Sequence, residues 1–122
     1  MNGADFLADT NVLIYALEGH PAVLGIAQCS VAVSVISEIE LLGKKGIMPH
    51  EVTVIHSLLK DCIVIPFMSE IKDIAISLKQ TYILKIPDAI VAATAIHFGL
   101  PLVTADTDFR KIKDLNLIRL TL

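Results

Sequence analysis

The sequence predicts an α/β domain, a three-layer α/β/α sandwich with a central parallel sheet. Three observations predict it. Short runs of β-branched and aliphatic residues alternate with longer amphipathic or apolar stretches, the pattern of repeated strand–helix units. The strand candidates are continuous apolar runs, which fits a sheet covered on both faces. A chain of 122 residues with 54% apolar side chains supports one core and not two, so residues 1–122 are expected to form a single domain.

The elements follow in order. Phe6-Leu7-Ala8 is the first strand, and it ends in Asp9. Thr10 to Leu17 reads as a short helix that Gly19-His20-Pro21 breaks. Residues 22–28 read as a second short helix. The β-branched run 31–36 is the second strand. Ser37 starts the helix bearing Glu38, Glu40 and the pair Leu41-Leu42, and Gly43 or Gly46 ends it. Residues 51–61 are helical, with Pro49 as the N-terminal signal, and 62–67 form the third strand. Ser69 caps a longer helix whose Ile71, Ile74, Ala75, Leu78 and Tyr82 share one stripe. Residues 83–87 are a loop. Asp88 opens a helix over 89–98, and Gly99 is its natural stop. That helix is apolar almost all round, so it is buried on more than one side. Residues 100–104 are the fourth strand, followed by Ala105-Asp106-Thr107-Asp108. A short helix over 109–115 and a strand over 117–122 close the chain.

The formal net charge of −3 argues against nonspecific nucleic-acid binding by charge alone, although a bound divalent cation would reverse the local field. Cys29 and Cys62 lack metal-ligand spacing and read as buried thiols of a reduced cytosolic protein. Met1-Asn2-Gly3-Ala4-Asp5 has no basic segment and no long apolar run, so no secretory signal is expected. Charged residues or histidines interrupt every apolar run, so no membrane span is expected either. The apolar excess agrees with a helical face covered by a second copy or a partner chain.

Acids recur at strand ends or in the first turn of the helix that follows: Asp9, Glu40, Asp88, Asp106 and Asp108. In a parallel sheet these places lie at one edge, where open α/β sheets bind ligands. Clustered carboxylates repel one another and call for a cation, and an all-oxygen donor set suits Mg²⁺ or Mn²⁺. Each acid also has a purely structural explanation. Asp9, Thr10 or Asn11 can cap the first helix, and Ser37-x-x-Glu40 is a legitimate capping box. Asp88 suits the helix dipole, and Asp106-Thr107-Asp108 can form a side-chain-bonded turn. Glu38 competes with Glu40, and the two stand about 200° apart around a helix, so only one faces the edge. The histidines His20, His50, His56 and His97 show no ligand spacing, and no nucleophile elbow or glycine-rich phosphate loop is present.

These motifs resemble the PIN-domain nucleases, most of all the small VapC-type toxins of toxin–antitoxin pairs. The resemblance rests on four blocks in the family's order. They are Leu7-Ala8-Asp9-Thr10-Asn11-Val12-Leu13-Ile14-Tyr15, Ser34-Val35-Ile36-Ser37-Glu38-Ile39-Glu40-Leu41-Leu42-Gly43, Ile86-Pro87-Asp88-Ala89-Ile90-Val91-Ala92-Ala93-Thr94-Ala95 and Leu102-Val103-Thr104-Ala105-Asp106-Thr107-Asp108-Phe109. It implies a PIN-like sandwich and metal-dependent cleavage of single-stranded or structured RNA. The family acids map onto Asp9, Glu40, Asp88 and Asp106 as catalytic residues and as ligands for Mg²⁺ or Mn²⁺. The glutamate directly before the leucine pair selects Glu40 over Glu38. Either Asp106 or Asp108 is the fourth metal ligand, with Asp106 favoured. Thr10, Asn11, Ser37 and Thr104 match supporting polar positions, although serine stands at 37 where threonine is frequent.

The implied reaction is phosphodiester hydrolysis leaving a 5′-phosphate and a 3′-hydroxyl, with Lys44, Lys45, Arg110 and Lys111 available to steer the RNA. The resemblance also implies a homodimer and a cognate antitoxin, and the cysteines, with no leader or span expected, point to a cytoplasmic location. Two other readings compete. One is a PIN-like module that binds RNA or a partner without cleaving. The other is a haloacid-dehalogenase-like phosphohydrolase, which wants an acid where Asn11 stands.

Overall fold

Apolar segments pair at the centre of the molecule. In the computed structural model, which describes residues 3–26 and 28–122, β1 (Phe6–Ala8) lies between β2 (Val31–Ser34) and β4 (Leu102–Thr104). β3 (Ile63–Ile65) pairs outside β2 and β5 (Leu117–Arg119) outside β4. Every pairing is parallel, and the order is β3-β2-β1-β4-β5. The expected parallel sheet between helices is therefore present.

Side chains alternate across the pleat, and the two faces build separate cores. Phe6, Ala8, Val33 and Val103 point to one side, where they meet α1 (Thr10–Leu17), α2 (Val35–Leu42) and α3 (Pro49–Lys60). Leu7, Ala32 and Leu102 point to the other, against α4 (Ser69–Thr81) and α5 (Ile86–Phe98). Leu7 and Leu102 are fully buried, and burying a leucine contributes about 1.5–3 kcal/mol. The stripe predicted on α4 packs as expected, with Ile71, Ala75 and Leu78 buried and Ile74 and Tyr82 at its margin. α5 buries Ala89, Val91, Ala92, Ala93, Thr94 and Ala95. Its small alanines let it lie close to the sheet, and Gly99 ends it in the left-handed conformation at φ 64°.

Several boundaries differ from the sequence expectations. β2 stops at Ser34, and α2 begins at Val35. Ser34 holds extended backbone and its hydroxyl accepts from Ile36 N at 3.1 Å. That cap overrides the β preference of Val35 and Ile36. Ser37 is thus inside the helix, the Ser37–Glu40 capping box does not form, and Glu40 sits in the second turn. α5 starts at Ile86, earlier than expected, because Pro87 is tolerated in a first helical turn. Asp88 lies within that first turn, as expected. Residue 68, not Ser69, is the N-cap of α4. The segments expected as short helices over 22–28 and 109–115 are 3₁₀ turns, Pro21–Ile26 and Thr107–Lys111. Ala27, within the first of those expected helices, and Met1 and Asn2, within the segment read for a leader, lie outside the described residues. Both cysteines are free, but Cys29 is exposed and Cys62 half-buried, so they are not the buried pair expected. Among the described residues no helix is long and apolar enough to cross a membrane.

Candidate functional site

The strand order reverses between β1 and β4, because the chain builds outward from β1 to β3 on one side and from β4 to β5 on the other. At such a switch point the loops after the two strands part and leave a crevice at their carboxyl ends. Asp9 follows β1 and Ala105-Asp106 follow β4 at that crevice.

Asp9 is 6% exposed. Its Oδ1 accepts from Thr10 N at 2.8 Å, which caps α1, and its Oδ2 accepts from the Thr104 hydroxyl at 2.8 Å. Capping and site-building are thus done by different oxygens of one carboxylate. Each oxygen retains a lone-pair direction for a further partner. Thr104, itself buried, also accepts from Asp106 N at 3.0 Å. One hydroxyl therefore ties the acid after β1 to the backbone of the acid after β4.

A second relay reaches Glu40. The Thr10 hydroxyl donates to Glu40 Oε1 at 2.7 Å and lies 2.8 Å from the Ser37 hydroxyl. A carboxylate only accepts, so the single Thr10 proton goes to Glu40 and Ser37 donates to Thr10. The buried Ser37 orients Thr10, and Thr10 orients Glu40. Glu38 is not part of this relay. Asn11 Oδ1 accepts from Ala105 N in a long bond of 3.4 Å, linking α1 to the turn after β4. Asp106 Oδ1 accepts from Asp108 N at 2.8 Å, which is the side-chain-bonded turn expected there, and its other oxygen takes no part in that bond.

The acids feel one another. Burial pushes the Asp9 carboxyl above its ordinary value against the opposing Thr104 and Thr10 hydrogen bonds, and the charges of Asp88 and Asp106 push the same way. Asp88 is also raised, first by burial, then by Asp106 and Glu40, with Lys85 opposing and Asp108 adding last. Asp9, Glu40, Asp88 and Asp106 therefore share one neighbourhood, with exposed Asp108 at its margin. Among the described residues the one salt bridge is Lys44–Glu51, so no ion pair neutralises these acids. An all-oxygen, under-neutralised set fits a hard divalent cation. Among the described residues no group of three or more histidine, cysteine or acidic side chains stands close enough together to hold a metal ion as it is.

A cleft of about 470 Å³ opens beside the acids. Asp88, Asp106 and Asp108 line it together with Lys79, Lys85 and Lys111. Of the lysines and arginine expected to steer RNA, only Lys111 lines this cleft. Lys44 pairs with Glu51 at 3.0 Å, and Lys45 and Arg110 are exposed elsewhere. Lys79 and Lys85 escaped the sequence reading. Lys85 stands one helical turn before Asp88, a spacing that was readable, whereas Lys79 reaches the cleft only because the chain doubles back after α4.

A family model described as PIN domain matches residues 6–115. Among solved structures, a toxin–antitoxin complex from Klebsiella pneumoniae contains a chain 30% identical to this one, with a TM-score of 0.79 over 93% of this chain and 95% of that one. DNA-bound VapBC from Salmonella typhimurium superposes with a TM-score of 0.85 at 18% identity, covering 95% of this chain and 98% of its own. FitAcB from Neisseria gonorrhoeae gives 0.77 at 24% identity, covering 93% and 96%. The last two show likeness of fold alone. No curated protein sequence matches the chain.

Proposed function

The chain belongs to the PIN domain family, and on that premise we propose that it is a metal-dependent endoribonuclease acting as the toxin of a type II toxin–antitoxin pair. The observation that supports the proposal is that Asp88 and Asp106 act on Asp9 beside the β1/β4 switch point, and Asp106 and Glu40 act on Asp88, without a neutralising ion pair among the described residues. These residues would hold Mg²⁺ or Mn²⁺, with Asp106 preferred to the exposed Asp108. Bound there, the cation supplies a water of lowered pKa and neutralises charge on the phosphoryl oxygens.

The protein's own groups do the rest. Thr104 and Thr10 N pin both oxygens of Asp9, so the carboxylate costs little reorganisation when it engages. The Ser37–Thr10–Glu40 relay fixes one oxygen of Glu40 beside the start of α1. Asp88 approaches from α5, the most buried helix, which fixes its position against the sheet. Supporting hydrogen bonds of this kind hold ligating side chains in place. An RNA phosphodiester seated over the acids would leave a 5′-phosphate and a 3′-hydroxyl.

The Klebsiella neighbour is a toxin–antitoxin complex, which supports a cognate antitoxin as partner and, with it, a cytoplasmic role. An apolar groove between α4 and α5, with Phe67, Ile76 and Ile86 exposed along it, supports a homodimer. The test uses the purified chain with single-stranded RNA in Mn²⁺ and then in EDTA. Cleavage is expected only with the metal, and Asp9→Asn and Asp88→Asn are each expected to abolish it. RNA binding without metal-dependent cleavage would refute the nuclease and favour a binding module.

A further inference from the structure

The segment between α4 and α5 carries two features that the acid cluster leaves unexplained. Ile83 is 92% exposed, the barest large apolar side chain among the described residues. Such a side chain at the tip of a slack loop would need no explanation, but this loop is tied down. Lys111 Nζ donates to Ile83 O, and Lys79 Nζ donates to Leu84 O at 2.7 Å. Two lysines from separate elements thus clamp consecutive carbonyls and hold Ile83 out at the rim of the acid-lined cleft. Lys85 comes next, exposed, and its charge reaches Asp88.

We propose that residues 83–85 are the grip for a single nucleic-acid strand: Lys85 holds a phosphate next to the one over the acids, and Ile83 packs against the neighbouring unstacked base. The proposal rests on the nuclease reading of the acid cluster. An apolar side chain beside a cation matches the alternation of base and phosphate along a strand. Three lysines offer charge to a polyanion, and they line the same cleft as Asp88, Asp106 and Asp108. A base buried in a duplex offers Ile83 no free face, so the grip selects unpaired substrate. A second copy of this chain, with a net charge of −3, is a less specific match to a rim alternating cation and apolar group.

The test measures binding of a labelled single-stranded RNA oligonucleotide to the uncleaving Asp9→Asn protein, with and without Lys85→Gln or Ile83→Ala added. Lys85→Gln is expected to weaken binding severalfold and to reduce the slope of log affinity against log salt by about 0.7, one phosphate contact on a single strand. Lys85→Arg should restore both. Ile83→Ala should weaken binding about fivefold, leave the salt slope unchanged and narrow the preference for single-stranded over duplex RNA. Lys60→Gln on α3, remote from the cleft, should change nothing. If both cleft variants bind as the parent does while wild type cleaves RNA, the grip is refuted and the nuclease stands. If wild type neither binds nor cleaves RNA, both readings fall. A dimer lost in Ile83→Ala with RNA affinity intact would assign the bare isoleucine to a protein interface and overturn the proposal.

Discussion

Replacing Thr104 with valine keeps the shape of a buried side chain and removes one hydroxyl. In the wild-type protein that hydroxyl donates to Asp9 Oδ2 at 2.8 Å and accepts from Asp106 N at 3.0 Å. A hydrogen bond to a charged group contributes about 1.5–3 kcal/mol, against about 0.5–1.5 kcal/mol for a neutral one. Asp106 N lies in a half-buried residue and water can replace its partner, so its loss adds little. Metal-free Thr104→Val should therefore be about 2–3 kcal/mol less stable than wild type at pH 8. At about 2.1 cal/mol/K per residue over 122 residues, each kcal/mol moves Tm by about 4 °C, so the melt should fall by about 8–12 °C.

The deficit should depend on pH in a definite direction. Asp9 already titrates above its ordinary value of 3.8, and Thr104 is the strongest group holding it down. Without that hydroxyl the folded-state pKa rises further. Below both folded values the side chain is neutral and only a neutral bond is missing, a deficit of about 1 kcal/mol. Above them the whole charged bond is missing. Urea unfolding of both proteins in EDTA at pH 3 and pH 8 measures the two deficits. Equal deficits at both values, or one under about 0.5 kcal/mol at pH 8, would refute the assignment of this bond as the support of an ionised Asp9.

The raised carboxyls of Asp9 and Asp88 contribute stability that is full below the ordinary carboxylate value and is lost as pH rises through their folded values, since the folded state there binds more protons than the unfolded one. In EDTA, Asp9→Asn should therefore gain on wild type as pH climbs from 4.5 to 8, and denaturation curves that stay a constant distance apart would contradict this. Mg²⁺ should raise Tm more at pH 8 than at pH 5, because ligands must be deprotonated to bind; a pH-independent rise would count against carboxylate ligation. Ser34→Ala should cost about 1 kcal/mol of stability through the lost cap of α2, with RNA cleavage per folded molecule unchanged. Ser37→Ala should instead lower cleavage about tenfold or more by freeing Thr10 and Glu40. The reverse pattern would refute the Ser37–Thr10 relay as the support of Glu40.

The layered architecture was readable from the chain because its causes are local. An apolar run of strand length, a helical stripe such as Ile71, Ala75 and Leu78, and a terminal Gly99 each announce an element within a few residues. Placing Asp9 and Asp106 at strand ends needed nothing more than that. The start of α2 was not readable, because Val35 and Ile36 have strand propensity and the Ser34 cap overrode it. Folding alone set the partners at the site. Thr104 meets Asp9 across 95 positions because β1 and β4 are register neighbours at the reversal of strand order. Thr10 reaches Glu40 because α1 and α2 lie side by side on one face. Neither pairing leaves a mark in local composition, since it arises from the order of strands and the packing of helices, which the whole core settles together.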